Sequence, residues 1–401
     1  MSLQHTPSSQ RVHISFFGRR NAGKSSLVNA VTGQQLSVVS DVEGTTTDPV
    51  RKAMELLPLG PVVIIDTPGF DDVGELGKMR VQRTLEVLRQ TDIAVLVADG
   101  SEEQSPCEAE LKALFEQEHI PYITVYNKSD LPMRRKEGTD TITVSAQTGA
   151  GIHALKEKLA HMLQEREDDR VLVQDLLPPC ATVVLVVPID SAAPKGRLIL
   201  PQQQVLRDLL DGGHIAVVCR ETELKQTLER LQNRVDLVIT DSQAFGVVSE
   251  IVPHDIPLTS FSILMARYKG FLDHAMEGMH AVDSLKDGDR VLIAEGCTHH
   301  RQCEDIGTVK IPRWLREYTG KELIFETVSG REFPEDLSPY AMIVHCGGCM
   351  LTPRAIRSRM EFAGAQKIPV LNYGMLIAHM KGILQRALAP LSKTPAGQEK
   401  V

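Results

Sequence analysis

The stretch VHISFFGRRNAGKSSLVNAVTG, residues 12–33, decides the fold of the first part of the chain. An apolar run, Val12 to Phe17, leads into GRRNAGKSS (Gly18 to Ser26), and a helical pattern follows. Strand, glycine loop and helix in that order are the context in which G-x-x-x-x-G-K-S is a phosphate site. Glycines at 18 and 23 let backbone N–H groups turn inward around phosphates at a helix N-terminus, Lys24 reaches the β and γ oxygens, and Ser25 ligates Mg2+. The candidate phosphate-binding residues are therefore Gly18, Asn21, Ala22, Gly23, Lys24, Ser25 and Ser26.

Further signals follow in the order a GTPase needs. GTTTD (Gly44 to Asp48) is a polar loop whose Thr46 is placed to close onto Mg2+ and the γ-phosphate. DTPG (Asp66 to Gly69) follows the strand-like VVIID and puts Asp66 beside the metal's own ligands and the Gly69 N–H on the γ-phosphate. Lys24, Thr46, Asp66 and Gly69 are the candidate catalytic set. NKSD (Asn127, Lys128, Ser129, Asp130) follows the strand PYITVY and selects the base. The Asp130 carboxylate accepts from guanine N1–H and N2–H, a donor pair adenine lacks. SAQTG (Ser145 to Gly149) supplies a backbone N–H for the guanine carbonyl, expected from Ala146.

On these motifs, the segment from about 8 to 166 resembles the Era and TrmE group of GTPases. Two departures from the Ras pattern carry weight. Phe70 follows DTPG where Ras-like switches place the water-positioning glutamine. Asn21 matches the asparagine that in TrmE-like members helps bind K+ against the phosphates, a cation in place of an arginine finger. The other reading of Asn21 is a side chain that stabilises the loop.

The whole chain has 401 residues, 42% of them hydrophobic, and a formal net charge of −8. That length holds two or three cores, since single cores stop growing near 250–300 residues. Without a run of Lys and Arg that tracks a phosphate backbone, no nucleic-acid partner is expected. Without a leader-like or membrane-length apolar stretch, a cytoplasmic protein with no membrane association is expected. The seven cysteines fit a reducing compartment and thiols free for metal.

The charged EREDDR (165–170) follows an amphipathic helix that closes the GTPase domain, read as 8–168. From LPPC (177–180) onward, apolar runs alternate with helical patterns: ATVVLVVPID, a helix near 202–211, HIAVVCR, a helix near 222–233, VDLVITDS and PLTSFSILMA. Such alternation implies a mostly parallel sheet covered on both faces. This middle block, 172–265, carries no chemistry of its own and is read as an association domain. In the third block, 266–395, RVLIAEGCTHH ends a strand in a loop presenting Cys297 and His299. LIFETVSG is a second strand, and YAMIVHCGGC a third that leads to His345, Cys346 and Cys349. The fold class is α/β: an N-terminal Ras-like P-loop GTPase domain followed by two further α/β domains with mostly parallel sheets.

Both thiol clusters end strands, where open parallel sheets bind ligands. The C-x-x-C of Cys346 and Cys349 chelates one metal or two edges of a cluster, and Gly347 and Gly348 bare N–H groups for its sulfurs. Three cysteines and one histidine suit structural zinc as well. A thioredoxin-like dithiol lacks its usual flanks. Cys303 is an accessory thiol candidate, and Cys107, Cys180 and Cys219 are read as unliganded residues of helices and strands.

A TrmE-like GTPase followed by C-x-H, then 45 residues, then H-C-x-x-C resembles the HydF family, GTPases that mature FeFe-hydrogenases. The resemblance spans nearly the whole chain. It implies a homodimeric scaffold carrying a 4Fe-4S cluster on Cys297, Cys346 and Cys349, with His299 and His345 as its motif histidines. It also implies a transient diiron precursor supplied with the radical-SAM maturases HydE and HydG, and delivery to the hydrogenase catalytic subunit. The fourth iron site is either a weak, exchangeable histidine or open to a bridging ligand. The rival reading is an RNA-associated GTPase of the Era or TrmE kind with a C-terminal structural zinc site, which calls for a basic surface that this acidic chain lacks.

Overall fold

The computed structural model describes residues 6–34, 49–70, 84–136, 138, 140–164, 171–189, 198–296, 305–330 and 332–392. The chain divides after residue 168 into two compact units.

The first unit is built on β1 (Val12–Phe17), the strand that opens into the glycine loop. Around it lie β2 (Val50–Leu56), β3 (Gly60–Asp66), β4 (Ile93–Asp99), β5 (Tyr122–Asn127) and β6 (Thr141–Thr143), in the order β2-β3-β1-β4-β5-β6. Only β2 and β3 pair antiparallel; β1 to β6 otherwise run parallel. A parallel sheet is covered on both faces, so its strands are apolar without interruption, as in IAVLVAD of β4. The side chains nevertheless alternate. Ile14, Phe16, Val62 and Ile64 enter one apolar cluster with Leu27, Val31 and Leu155, whereas Phe17, Val63 and Ile65 enter another with Leu88, Leu111 and Phe115.

The second unit holds two four-stranded sheets in which every pairing is parallel. β7 (Thr182–Val186), β8 (Ile215–Cys219), β9 (Leu237–Thr240) and β10 (Leu258–Ser260) are ordered β10-β9-β7-β8. β11 (Arg290–Glu295), β12 (Ile324–Ser329), β13 (Met342–His345) and β14 (Val370–Asn372) are ordered β12-β11-β13-β14. One apolar cluster runs through both, from Val184 and Val238 by way of Ile263 and Phe271 to Ile293 and Val344.

PLTSFSILMA divides where its sequence read as one apolar run: Ser260 ends β10 and its Oγ accepts from the Ile263 N–H at 3.3 Å, capping the helix Phe261–Lys269. The expected boundary between 265 and 266 falls inside that helix, which ends at Gly270 with φ 79°. β14 and the helices Pro353–Ala365 and Tyr373–Met380 were not anticipated, yet they carry local signals. Thr352 caps the first ahead of Pro353, and Asn372 caps the second through the N–H groups of Gly374 and Met375.

Candidate functional site

The sheet of the first unit delivers four of the expected nucleotide motifs to the C-terminal ends of β1, β3 and β5 and to the loop after β6. Gly23, at φ 85°, caps the helix Lys24–Thr32, and a Cβ there would lie 2.2 Å from Asn127 Nδ2. Only glycine fits between the loop and the base-reading segment. Asn21 is exposed and left-handed, at φ 60°. Lys24 is buried and donates to the carbonyls of Gly18 and Arg19 at 3.0 and 2.8 Å.

Ser25 Oγ donates to Asp66 Oδ2 at 2.6 Å, joining the two groups expected at the metal. Asp66 is 1% exposed, and its Oδ1 is buried with no hydrogen-bond partner among the described residues. An orphaned carboxylate oxygen beside a hydroxyl is the hard donor set Mg2+ takes. DTPG is tied down on both sides: Thr67 Oγ1 donates to Phe16 O at 2.6 Å and the Phe70 N–H to Gly18 O at 3.3 Å. The ring of Phe70 packs against the apolar cluster of Phe17 and Leu111. Thr46 lies outside the described residues.

At the base-reading end, Asn127 donates to Ala22 O at 3.1 Å and accepts from the Ala146 N–H at 3.0 Å, so one side chain ties the phosphate loop to SAQTG. The Ala146 N–H, expected on the guanine carbonyl, is here engaged by Asn127, and a bound base would share or displace that bond. Ser145 Oγ donates to Asp130 Oδ1, orienting the carboxylate that reads guanine. Lys128, at φ 64°, bonds Asp99 at 2.7 Å; burial raises the Asp99 carboxyl, but bonds from Lys128 and Ser101 hold it below its ordinary value. Ser26 and Ala146 both line an open cleft of about 560 Å3 beside this segment.

The second site lies where β13 and β11 end side by side. Ala294 pairs with His345 in the parallel register, so the two strands that lead toward the thiol motifs end side by side at one level. Cys346 Sγ accepts N–H bonds from Gly296, at 3.0 Å, and Gly348, at 3.3 Å. Gly296 immediately precedes Cys297. Cys297, His299 and Cys303 lie outside the described residues. Gly348 has the left-handed backbone that favours glycine, at φ 64°, and a Cβ there would lie 2.5 Å from Ile356 Cδ1, which would have to shift. Cys349 packs partly buried against the core of the β7 sheet, with Val187, Val205 and Met265.

Burial pushes the Cys346 thiol up, against the pull of its two N–H donors, and carries Cys349 to about 12. Thiols so raised are poor nucleophiles, which disfavours the thioredoxin-like reading, but they ionise when a metal supplies the compensating charge. Among the described residues no three His, Cys, Asp or Glu side chains converge on one point, and Cys346 and Cys349 are two of the thiols that a metal or cluster would use. Cys107 lies in the helix Pro106–Gln117 and Cys219 ends β8, whereas Cys180 is exposed in a turn at φ 56°, in neither helix nor strand.

His345 is fully buried, and burial with the nearby Arg359 charge takes it down to about 3, so it is neutral. Its Nδ1 donates to Cys346 O at 2.7 Å and its Nε2 accepts from Arg359 Nη1 at 3.1 Å. Sequence reading missed Arg359. In PRAIRSRMEF, Arg359 is 7% exposed and shares the inner face of the helix with Ile356 and Met360. It also missed Lys269, wholly buried and bonded to Leu351 O at 2.7 Å.

The first unit is thus the nucleotide domain of a P-loop GTPase. Residues 13–128 match the family model described as 50S ribosome-binding GTPase. Residues 172–270 match the hydrogen maturase F dimerization domain and residues 273–390 the hydrogen maturase F tetramerization domain. The chain belongs to the hydrogen maturase F (HydF) family. Among curated proteins, the tRNA modification GTPase MnmE of Dichelobacter nodosus is 34% identical over 167 residues, covering 40% of this chain and 37% of its own length. GTPase Der of Wolinella succinogenes is 37% identical over 174 residues, covering 39% and 36%. The chain therefore spans little more than a third of the length of these relatives. Similar solved structures include the G domain of the T. maritima FeoB iron transporter, with 25% identity, 38% of this chain and 99% of that one covered, and a TM-score of 0.31. Aquifex aeolicus Era bound to GDP and AlF4− has 18% identity, 56% and 98% coverage and a TM-score of 0.34. No helix among the described residues is long and apolar enough to cross a membrane.

Proposed function

We propose that this protein is a GTP-hydrolysing scaffold of FeFe-hydrogenase maturation, which holds a 4Fe-4S cluster and takes a diiron precursor as cargo for the hydrogenase catalytic subunit. The observation that carries this reading is the Gly296 N–H on Cys346 Sγ. It sets Gly296 beside the C-x-x-C loop and supports a reading in which Cys297, Cys346 and Cys349 supply three thiolates and a fourth position is left to a non-cysteine group such as His299. Bare N–H groups at Gly296 and Gly348 stabilise negative sulfur and tune its potential. The cluster, when bound, supplies an iron site to which the diiron cargo is tethered. Its precursor is supplied with the radical-SAM maturases HydE and HydG.

Association with a second copy fits β8, an edge strand on which Ile215 and Val218 are 56% and 46% exposed. An apolar edge of this kind pairs readily with another strand. We assign the 172–265 block to that homodimer, and the cytoplasm as its compartment.

The test is hydrogenase activation. Protein purified anaerobically from cells containing both radical-SAM maturases is expected to activate unmatured hydrogenase subunit, and protein from cells lacking them is not. Failure of the first preparation, with its GTPase intact, contradicts the scaffold role.

Asn21, exposed in the phosphate loop, together with Phe70 turned against the apolar cluster of Phe17 and Leu111, supports K+ as the charge that assists hydrolysis. GTP hydrolysis is expected to run about tenfold faster in K+ than in Na+ at equal ionic strength. Equal rates in matched buffers would contradict this part of the reading.

A further inference from the structure

Arg359 is buried on the inner face of the helix Pro353–Ala365, where helical spacing calls for an apolar residue. A guanidinium is costly to take out of water unless something of opposite sign compensates it. Its hydrogen bonds go to neutral groups: His345 Nε2 at 3.1 Å, Gly330 O at 2.7 Å and Glu332 O at 3.3 Å. The Phe333 ring stacks on it, 5.0 Å from its centroid. Burial depresses Arg359 to about 10, still charged at neutral pH, and the group that acts on it in the opposite sense is Cys346. Among the described residues, no carboxylate pairs with it.

The bonds form a continuous line. Gly330 O, at the end of β12, holds the guanidinium; the guanidinium holds His345 Nε2; and His345 Nδ1–H holds Cys346 O. Phe271 closes the edge of the imidazole at 5.8 Å. Both ring nitrogens of His345 are engaged, so iron could use Nε2 only by displacing a guanidinium that then faces the metal. Ligation through Nδ1 would require the other tautomer and cost the bond to Cys346 O.

We propose that Arg359 is a positioning residue of the thiol site: through His345 it fixes the peptide that carries Cys346, and its charge is the buried counter-ion of the thiolate-held cluster, with His345 acting as relay and not as ligand. This rests on the cluster reading above. A permanent positive charge next to the cluster favours the reduced, more negative state.

The experiment is a potentiometric titration of the cluster in full-length protein, with iron and sulfide analysis, for the wild type and three variants. Arg359→Gln, which keeps a donor but no charge, is expected to retain iron and sulfide and to disfavour reduction by about tenfold, 59 mV for a one-electron couple. Arg359→Lys should recover most of that shift. His345→Gln, whose amide can both donate to Cys346 O and accept from Arg359, should keep the cluster. An unmoved potential in Arg359→Gln overturns the counter-ion role. Loss of iron in His345→Gln with retention in Arg359→Gln overturns the relay and makes His345 a ligand. Should Arg359→Gln fail to fold, Arg359→Lys with its potential lowered as much as by loss of the charge also counts against the proposal. Wild-type protein that binds no iron and sulfide defeats the cluster reading itself, a result distinct from the others.

Discussion

Cys349→Ser is expected to strip the protein of nearly all its iron and sulfide while leaving GTP hydrolysis within about twofold of wild type, because serine is a poor substitute for thiolate on iron. Cys349 sits in the second unit, at the end of the C-x-x-C loop, partly buried against the apolar cluster that includes Val187, Val205 and Met265. Serine is also close in size, so the core around it should survive. Iron and sulfide assays read the first effect, and steady-state phosphate release reads the second. Retention of iron by the variant would mean that Cys349 is not a ligand, and a collapse of both properties in a folded protein would mean that the two sites are not separable.

Lys24→Ala produces the converse. The Lys24 ammonium rests on the Gly18 and Arg19 carbonyls, the place from which it meets the β and γ phosphates. Its loss removes the charge that offsets the phosphate oxygens as they gain negative charge, and GTP hydrolysis should fall by at least about a hundredfold. Alanine is a good helix former at the first position of the helix Lys24–Thr32, so folding is not at stake. Iron content should stay at the wild-type level. Hydrolysis within a few-fold of wild type would remove Lys24 from the catalytic set.

The nucleotide site was legible because its motifs are local. Each is a strand end followed by a loop, and Gly23 caps the helix that carries Lys24 and Ser25 while Ser25 meets Asp66, as the local pattern led one to expect. What the sequence hid depends on packing between distant segments. Asn127 ties Ala22 to Ala146, 105 residues from one and 19 from the other. No spacing rule reports such a bond. In the thiol site, the C-x-x-C and its strand were visible, and so was the placement at strand ends. His345 looked available as a ligand because a histidine beside a cysteine reads that way in one dimension. Its environment comes from Phe271, Arg359 and Gly330, three elements that only the fold assembles. The run PLTSFSILMA misled for a different reason: apolar content cannot separate a buried strand from a buried helix, and the deciding signal was the polar cap, Ser260.

The proposed scaffold role rests most directly on a cluster bound by the second unit. Protein purified without oxygen should be coloured, with iron and acid-labile sulfide in equal amounts, no stoichiometric zinc and a broad visible absorption that bleaches on reduction. Colourless protein that carries one zinc per chain, and takes up no iron and sulfide under reconstitution, would contradict it.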